Sequence, residues 1–492
     1  MPIELQVIGS ALRSIAEEMG AVLVRSAFSA NIKERRDCST ALFDTDGRMI
    51  AQAEHIPVHL GAMPDAVAAV REHEPGPDDV FILNDPFTGG THLPDITLVS
   101  RVPIGFAATR AHHADVGALE PGSLPANSRR LEEEGVVIPP TRLDDEVLAE
   151  LMSRMRNPDE RRGDLRAQLA AQRLAARRLA ELCERRGEDR VRAAMNELFA
   201  YSERRVRAAI AALPDGRYDA SDMLEALEGD LELRAAVTVE GDEIEIDFAG
   251  TAPQHEGNLN CPLAVTRSAS YFVVRCATDP DVPASGGAFA PVQVAAPAGC
   301  LVNARPPAAV AAGNVETSSR VVDVLFLALG QAVPLPAQGQ GTMNNVTLGN
   351  DRFTYYETIG GGQGACAEAD GPAGVHVAMS NTLSTPAEAL ELGYPLRVER
   401  HELRLGSGGA GVHRGGDGVV RELRALEACR LSLVAERRRH APRGAHGGGS
   451  ALPGRHFLNG EELPPKETRD VEPGDLVRIE TPGGGGFGAP SS

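Results

Sequence analysis

Apolar residues recur at three- and four-residue steps through Leu5, Ile8, Leu12, Ile15, Met19 and Val22, which predicts that the chain opens with an amphipathic helix. Further along, the pattern shortens. Residues 79–85 (DVFILND) form a brief apolar run ending in polar residues, and 96–102 and 106–111 are two more candidate strands. Each run ends among His and Asp residues, an arrangement that sets reactive side chains at a sheet edge where a ligand can reach them. Helical periodicity then returns. Leu165, Leu169, Ala176, Leu179 and Cys183 mark one face, and Val191, Met195, Leu198, Val206 and Ile210 another, with Pro158 and Pro214 as punctuation. Arg and Glu fill the positions between, and their mixed signs predict a solvated face laced with ion pairs, not a basic binding surface.

From Leu231 the period becomes two. Val237 and Val239 oppose Ile244, Ile246 and Phe248 across Glu240-Gly241-Asp242, a hairpin signature. Beyond about Pro283 the chain is rich in Gly, Pro and short alternating runs, and 396–477 reads as mainly β. The expected fold is mixed α/β (α+β) in four parts. An N-terminal α/β region (1–140) carries the candidate site. A helical block (141–215), a mixed α/β region (216–345) and a Gly-rich, mainly β region (346–492) follow.

Composition narrows the function. At ~150 residues per domain, 492 residues allow roughly three units. Forty-nine basic against 69 acidic residues give a net charge of −20, which repels phosphate backbones and anionic lipid, so neither nucleic acid nor a membrane surface is an expected partner. No apolar stretch approaches the ~20 residues of a membrane span, and the first residues show no secretory pattern. A cytoplasmic enzyme is expected. Seven cysteines without a C-x-x-C pair read as buried free thiols.

Three segments could carry chemistry: ERRDCS (34–39), NDPFTGGTHLPD (84–95) and AHHADVG (111–117). Imidazole nitrogen with carboxylate oxygen suits a borderline divalent ion such as Zn²⁺, Mn²⁺ or Fe²⁺, and two His with two Asp could leave a position open. His55 and His59 are four apart, but Pro57 between them argues against a helical ligand pair, so both are expected to be structural. The glycine clusters at 360–364, 408–416, 447–449 and 483–488 are expected to be tight turns. Neither of the two lysines, Lys33 and Lys466, follows a glycine, so there is no Walker A motif. No G-x-S-x-G elbow is present.

Taken together, NIKERRDCSTALFD, NDPFTGGTHLPD, AHHADVGALEPGS, EEEGVVIPP, GNVETSSRVVD, GTMNN, YYETIGGGQGA, SGGAGVHRGGDG and TPGGGGFG resemble the hydantoinase B/oxoprolinase family, in order along essentially the whole chain. The resemblance implies a division of labour. An A-type partner holding ATP and Mg²⁺ phosphorylates a small cyclic amide, and a hetero-oligomeric B subunit of this kind completes the hydrolysis at a metal site. The family's ligands fall on Asp37, His92, Asp95 and His112, with His113 as second choice, and Asp115 is expected to orient a ligand histidine. Cys38 and Ala118 depart from the family pattern, and Cys38 could reshape the pocket. The length looks like that of a stand-alone B subunit. The alternatives are a subunit of an ATP-dependent ketone carboxylase and a non-catalytic scaffold for the A subunit.

Overall fold

The computed structural model describes residues 3–490. The opening periodicity becomes α1 (Ile3–Ser26), whose Leu5, Ile8, Leu12, Ile15, Met19 and Leu23 are buried. After the short α2 (Ala30–Lys33) come β1 (Cys38–Phe43), β2 (Met49–Glu54), α3 (Met63–Arg71), β3 (Val80–Leu83), β4 (Asp95–Val102), β5 (Gly105–His112) and β6 (Thr141–Arg142). The strands form an antiparallel sheet in the order β2-β1-β5-β4-β3-β6. Every residue of β1 and β5 is buried, because the sheet is covered on both faces. Cys38, Leu42, Ala107 and Ala111 pack against α1, whereas Ala41, Phe43, Phe106 and Ala108 pack against α3. That alternation is the period-two geometry of a strand.

Three helices follow: α4 (Asp145–Arg154), α5 (Pro158–Arg186) and α6 (Glu188–Ile210). The face that α5 turns to the core shared with α1 is Ala167, Ala171, Ala175, Leu179 and Leu182. Of the expected Leu165/Leu169/Ala176/Leu179/Cys183 stripe, Leu179 is buried there and Ala176 and Cys183 pack against the same core, whereas Leu165 and Leu169 turn away from it. Small side chains let two helix backbones come close, and Leu165 is used instead in a second core beneath β4 with Ile96 and Leu98. The hairpin predicted near 241 is present: β7 (Gly216–Glu225), β8 (Asp230–Glu240) and β9 (Glu243–Asp247) pair with Val239 opposite Ile244 and Val237 opposite Ile246. With β10 (Val292–Ala295) they form a sheet packed on α7 (Leu263–Ala277) and α8 (Ser318–Leu329). A five-residue π-helical turn, Gly313–Thr317, leads into α8.

The remaining strands are β11 (Asn345–Gly349), β12 (Thr354–Glu357), β13 (Leu396–Arg404, after α9, Ala387–Gly393), β14 (Gly418–Ala425), β15 (Cys429–Val434), β16 (Arg455–Leu458), β17 (Glu461–Leu463), β18 (Lys466–Val471) and β19 (Leu476–Glu480). They make two sheets, β12-β11-β15-β18 and β13-β14-β19-β16-β17, which share one core containing Val346, Tyr355, Leu423, Leu431 and Val477. The glycine clusters are not simple turns. Their segments lie backbone against backbone, with Gly484 N donating to Gly416 O, Gly486 N to Gly449 O and Gly362 N to Pro482 O. A Cβ on Gly362 would come within 2.0 Å of Gly416 O and 2.2 Å of Gly484 N, so the need is for close approach. No helix among the described residues is long and apolar enough to cross a membrane.

Candidate metal centre

Strand register builds the site. Asp95 opens β4, His112 closes β5, and the antiparallel ladder sets them directly opposite each other. Residues directly opposed across a ladder project from the same face. His92 arrives from the preceding turn, which Asn84 pins: its Nδ2 donates to Leu93 O (2.8 Å) and Val136 O (2.9 Å), and its Oδ1 accepts from Ile138 N (2.7 Å). The result is a compact buried cluster. His92 Nε2 lies 3.1 Å from His112 Nδ1, and each nitrogen is 3.3 Å from Asp95 Oδ1. Among the described residues, His92, Asp95 and His112 are the group whose ligand atoms all fall within 4.8 Å of one another.

Those separations fit a metal ion. Bonds of ~2.1 Å at ~90–110° set neighbouring ligand atoms ~3.0–3.4 Å apart. Asp95 is held so that Oδ1 faces the rings, because Thr91 Oγ1 donates to Oδ2 (2.5 Å) and His59 Nε2 lies 3.4 Å from it. His59 Nδ1 is in turn 2.9 Å from Ser39 Oγ. Burial alone would raise the Asp95 pKa, but the His92 charge and hydrogen bonds from His112 and His59 hold it well below the carboxylate range. For His92, burial is outweighed by Asp95 and the pKa rises; for His112, burial wins and it falls. The other side of His92 meets Asn314 on the π-helical turn, with Nδ2 3.2 Å from His92 Nδ1. Asn314 Oδ1 is buried without a hydrogen-bond partner. Turning this amide over places Oδ1 as acceptor for an Nδ1–H of His92, which frees the Nε2 lone pair for a metal.

The other expected residues divide. Asp37 lines the same cavity but stands outside the three-residue cluster, and its carbonyl accepts from His112 N (3.0 Å). His113 turns to the opposite face, where Nε2 meets Gln168 Oε1 at 3.0 Å and burial pushes its pKa down to about 4. Asp115 meets no histidine. Its carboxylate accepts from Gly117 N (2.7 Å), Gly122 N (2.8 Å) and Arg156 Nη1 (3.1 Å), so it holds the loop after β5 instead of orienting a ligand histidine as expected. Cys38 packs into the α1 core, away from the cavity, and burial, then Asp37, push its thiol up. His55 does not line the cavity, but His59 does, contrary to its expected structural role: Pro57–His59 is a 3-10 turn that delivers the ring to Asp95.

Distant segments supply the remaining walls. Tyr356 stacks on the His112 ring at 4.7 Å and 13°, and Thr358, Ser380 and Thr382 complete the lining. No spacing rule links these residues to the histidines; Asn314, Tyr356 and Thr358 fall in the GNVETSS and YYETIGG motifs, whereas Ser380 and Thr382 lie in none of the quoted motifs. The cavity is about 20 Å³, room for a water or two. A ligand of more than a few atoms needs more room than that, and Thr358, Ser380 and Thr382 lie outside regular structure.

Glu316, on the same π-helical turn as Asn314, accepts from Met343 N (3.1 Å) and Asn345 Nδ2 (2.8 Å). Burial, then repulsion by Glu436, push its carboxyl from 4.5 up to about 7. A pKa raised by folding contributes stability that is complete below pH 4.5 and is lost as pH rises through about 7. Glu316→Gln keeps the acceptor oxygen without the charge. The variant is expected to flatten the dependence of melting temperature on pH across that window and to melt above wild type at pH 8. Parallel melting curves for the two proteins would remove Glu316 as the cause.

The comparisons agree with this architecture. The chain is 40% identical to an uncharacterised protein of Methanocaldococcus jannaschii, over 99% of this chain and 91% of that protein. It is 38% identical to 5-oxoprolinase 1 of Arabidopsis thaliana, where it spans 99% of itself but 42% of the longer relative. The crystal structure of the ATP-dependent caprolactamase from Pseudomonas jessenii superposes with a TM-score of 0.93 at 29% identity, covering 99% of this chain and 91% of that one. An acetone carboxylase chain shares the fold, with a TM-score of 0.88 at 18% identity over 99% and 76% of the two chains. Because the hydantoinase B/oxoprolinase family model matches residues 1–490, and relatives this similar run the length of the chain, the protein belongs to the hydantoinase B/oxoprolinase family.

Proposed function

We propose that this chain is the B-type subunit of an ATP-dependent cyclic-amide hydrolase. Its substrate would be a lactam or hydantoin-like ring phosphorylated by an A-type partner that holds ATP and Mg²⁺. The observation that carries the reading is the buried His92–Asp95–His112 cluster, lining a small cavity in a caprolactamase-like fold. His92 Nε2, His112 Nδ1 and Asp95 Oδ1 would hold a divalent ion, with Asp37 as a fourth ligand from the same cavity. Two imidazoles with carboxylates favour Zn²⁺, Mn²⁺ or Fe²⁺. When bound, such an ion supplies Lewis acidity that makes water a competent nucleophile near neutral pH.

The protein's own contribution is orientation and exclusion. Thr91 and His59 commit the outer oxygen of Asp95, so the inner one stays aimed at the rings. Tyr356 fixes the plane of His112, and Asn314 sets which nitrogen of His92 carries the proton. The buried walls keep bulk water from an activated ring until the partner has delivered it.

The test is co-expression with an A-type partner, followed by assay with ATP across a panel of lactams and hydantoins. Ring opening coupled to ADP formation is expected only with both subunits and with metal present. Full turnover after chelation, or no ring opening on any amide, would end this reading. ATP-dependent carboxylation of a ketone in the same assay would replace it with the carboxylase alternative.

A further inference from the structure

Besides the His/Asp cluster, the cavity is lined by Thr358, Thr382 and Ser380, which His376 joins from behind into a connected chain of donors. Thr358 Oγ1 lies 2.7 Å from Thr382 Oγ1, Thr382 Oγ1 lies 3.1 Å from His376 Nε2, and His376 Nδ1 lies 2.7 Å from Ser380 Oγ. Burial, then Arg35, push the His376 pKa down to about 3, so the ring is neutral and carries one N–H. Four groups thus hold four hydrogens but share three links, and each link uses one hydrogen. One donor is always left over, at Thr358, Thr382 or Ser380, and all three line the cavity with His92, Asp95 and His112.

Behind this chain sits Arg35. Its guanidinium is fully buried, with Nη2 donating to Thr358 Oγ1 (2.6 Å) and Thr382 Oγ1 (3.2 Å) and Nη1 to Tyr356 O (2.9 Å). None of these bonds reaches a carboxylate, and the guanidinium also lies over the face of Tyr356, at 5.1 Å. A buried cation bonded to neutral oxygens alone is costly unless an anion shares its surroundings. Arg35 also polarises the two hydroxyls it donates to, which strengthens whatever bond the leftover hydrogen makes.

We propose that Thr358, Thr382, His376 and Ser380, backed by Arg35, form the subsite for the phosphoryl group of the activated substrate. This rests on the reading of the chain as acting on a phosphorylated cyclic amide. The chemistry requires such a hold through two water additions. In the first, water bonds to the ring carbon and the C–N bond breaks, with its electron pair and both protons of that water ending on nitrogen. The product is an acyl phosphate. In the second, another water bonds to the same carbon and the C–O bond breaks with its pair on the phosphoryl oxygen. One proton goes with the released orthophosphate and one with the carboxyl group. The phosphoryl group is covalently attached until that last bond breaks, so its holder aligns the carbon for both attacks.

Inorganic phosphate titrated into the metal-loaded chain is the direct probe. Wild type is expected to bind it, and Thr382→Val and Ser380→Ala each to weaken binding about tenfold or more with metal content unchanged. Thr382→Ser, which keeps the hydroxyl, is expected to bind like wild type. No binding by wild type, or undiminished wild-type affinity in both hydroxyl-deleted variants, overturns the proposal. Ser380→Ala removes only the end of the chain and serves if Thr382→Val misfolds. Phosphate binding that depends on Thr382 and Ser380, in a protein that opens no cyclic amide with any partner, supports the anion subsite and overturns the hydrolase reading instead.

Discussion

His92→Ala is expected to abolish overall turnover and to strip the chain of stoichiometric metal. His92 presents Nε2 to His112 Nδ1 at 3.1 Å and to Asp95 Oδ1 at 3.3 Å. Removing it takes one of three converging candidate ligand atoms, and His112 and Asp95, even with Asp37, would hold the ion far more weakly. Even groups that merely orient a ligand are worth about 10–100-fold in metal affinity, so deleting a ligand should cost at least about a hundredfold. Stability should fall less. His92 lies on a turn held by Asn84 and by the Gly90 N to Asp85 O bond, neither of which uses its ring. His55→Ala is the control, a histidine that does not line the cavity. Metal analysis and product formation are measured on both variants with the co-expressed partner. If the His92 variant keeps its metal and its rate while the His55 variant loses them, the ligand set lies elsewhere.

Gly313→Ala tests the opposite wall and is expected to separate metal binding from turnover. A Cβ at Gly313 would come 1.8 Å from Asn260 O and 2.5 Å from Asn260 C, both backbone atoms. Asn260 cannot easily yield, because its Nδ2 donates to His255 O, Gly257 O and Ala309 O. The π-helical turn must therefore move by something on the order of 1 Å, carrying Asn314 off His92 and Glu316 off Asn345. Misplacement on that scale can lower a rate about a hundredfold. The proposed ligands His92, Asp95 and His112 sit on β4, β5 and the turn before β4, so metal content should largely survive. Near-normal turnover would show that the turn is not part of the working site. Loss of metal as well would mean that the displacement reaches the cluster itself.

Much of this protein is written in local pattern. Leu5, Ile8, Leu12, Ile15 and Met19 repeat at helical spacing, and the helix forms with those residues inward, because i, i+3 and i+4 neighbours share a face whatever the rest of the chain does. The hairpin at Gly241 and the strands ending in His and Asp are legible for the same reason: two-residue alternation and turn chemistry act over a few positions. His92 and Asp95 are three apart in one motif and meet in the fold. Other features depend on contacts that sequence spacing does not encode. The β4–β5 register turns His112 toward Asp95, and strand alternation sends His113 to Gln168, a choice between two adjacent histidines. His59 reaches Asp95 only because a 3-10 turn folds it back across 36 positions. Asp115 looks like a partner for histidine but is taken by backbone N–H groups and Arg156. Arg35 finds Thr358 and Thr382 more than 300 residues away. The glycine clusters signal turns one by one, yet their backbones pack on each other. Local periodicity determined the elements, and the short His/Asp motifs pointed to the cluster. Which side chains face one another across the cavity was decided by strand register and long-range packing, since burial rewards a contact regardless of how far apart its partners lie along the chain.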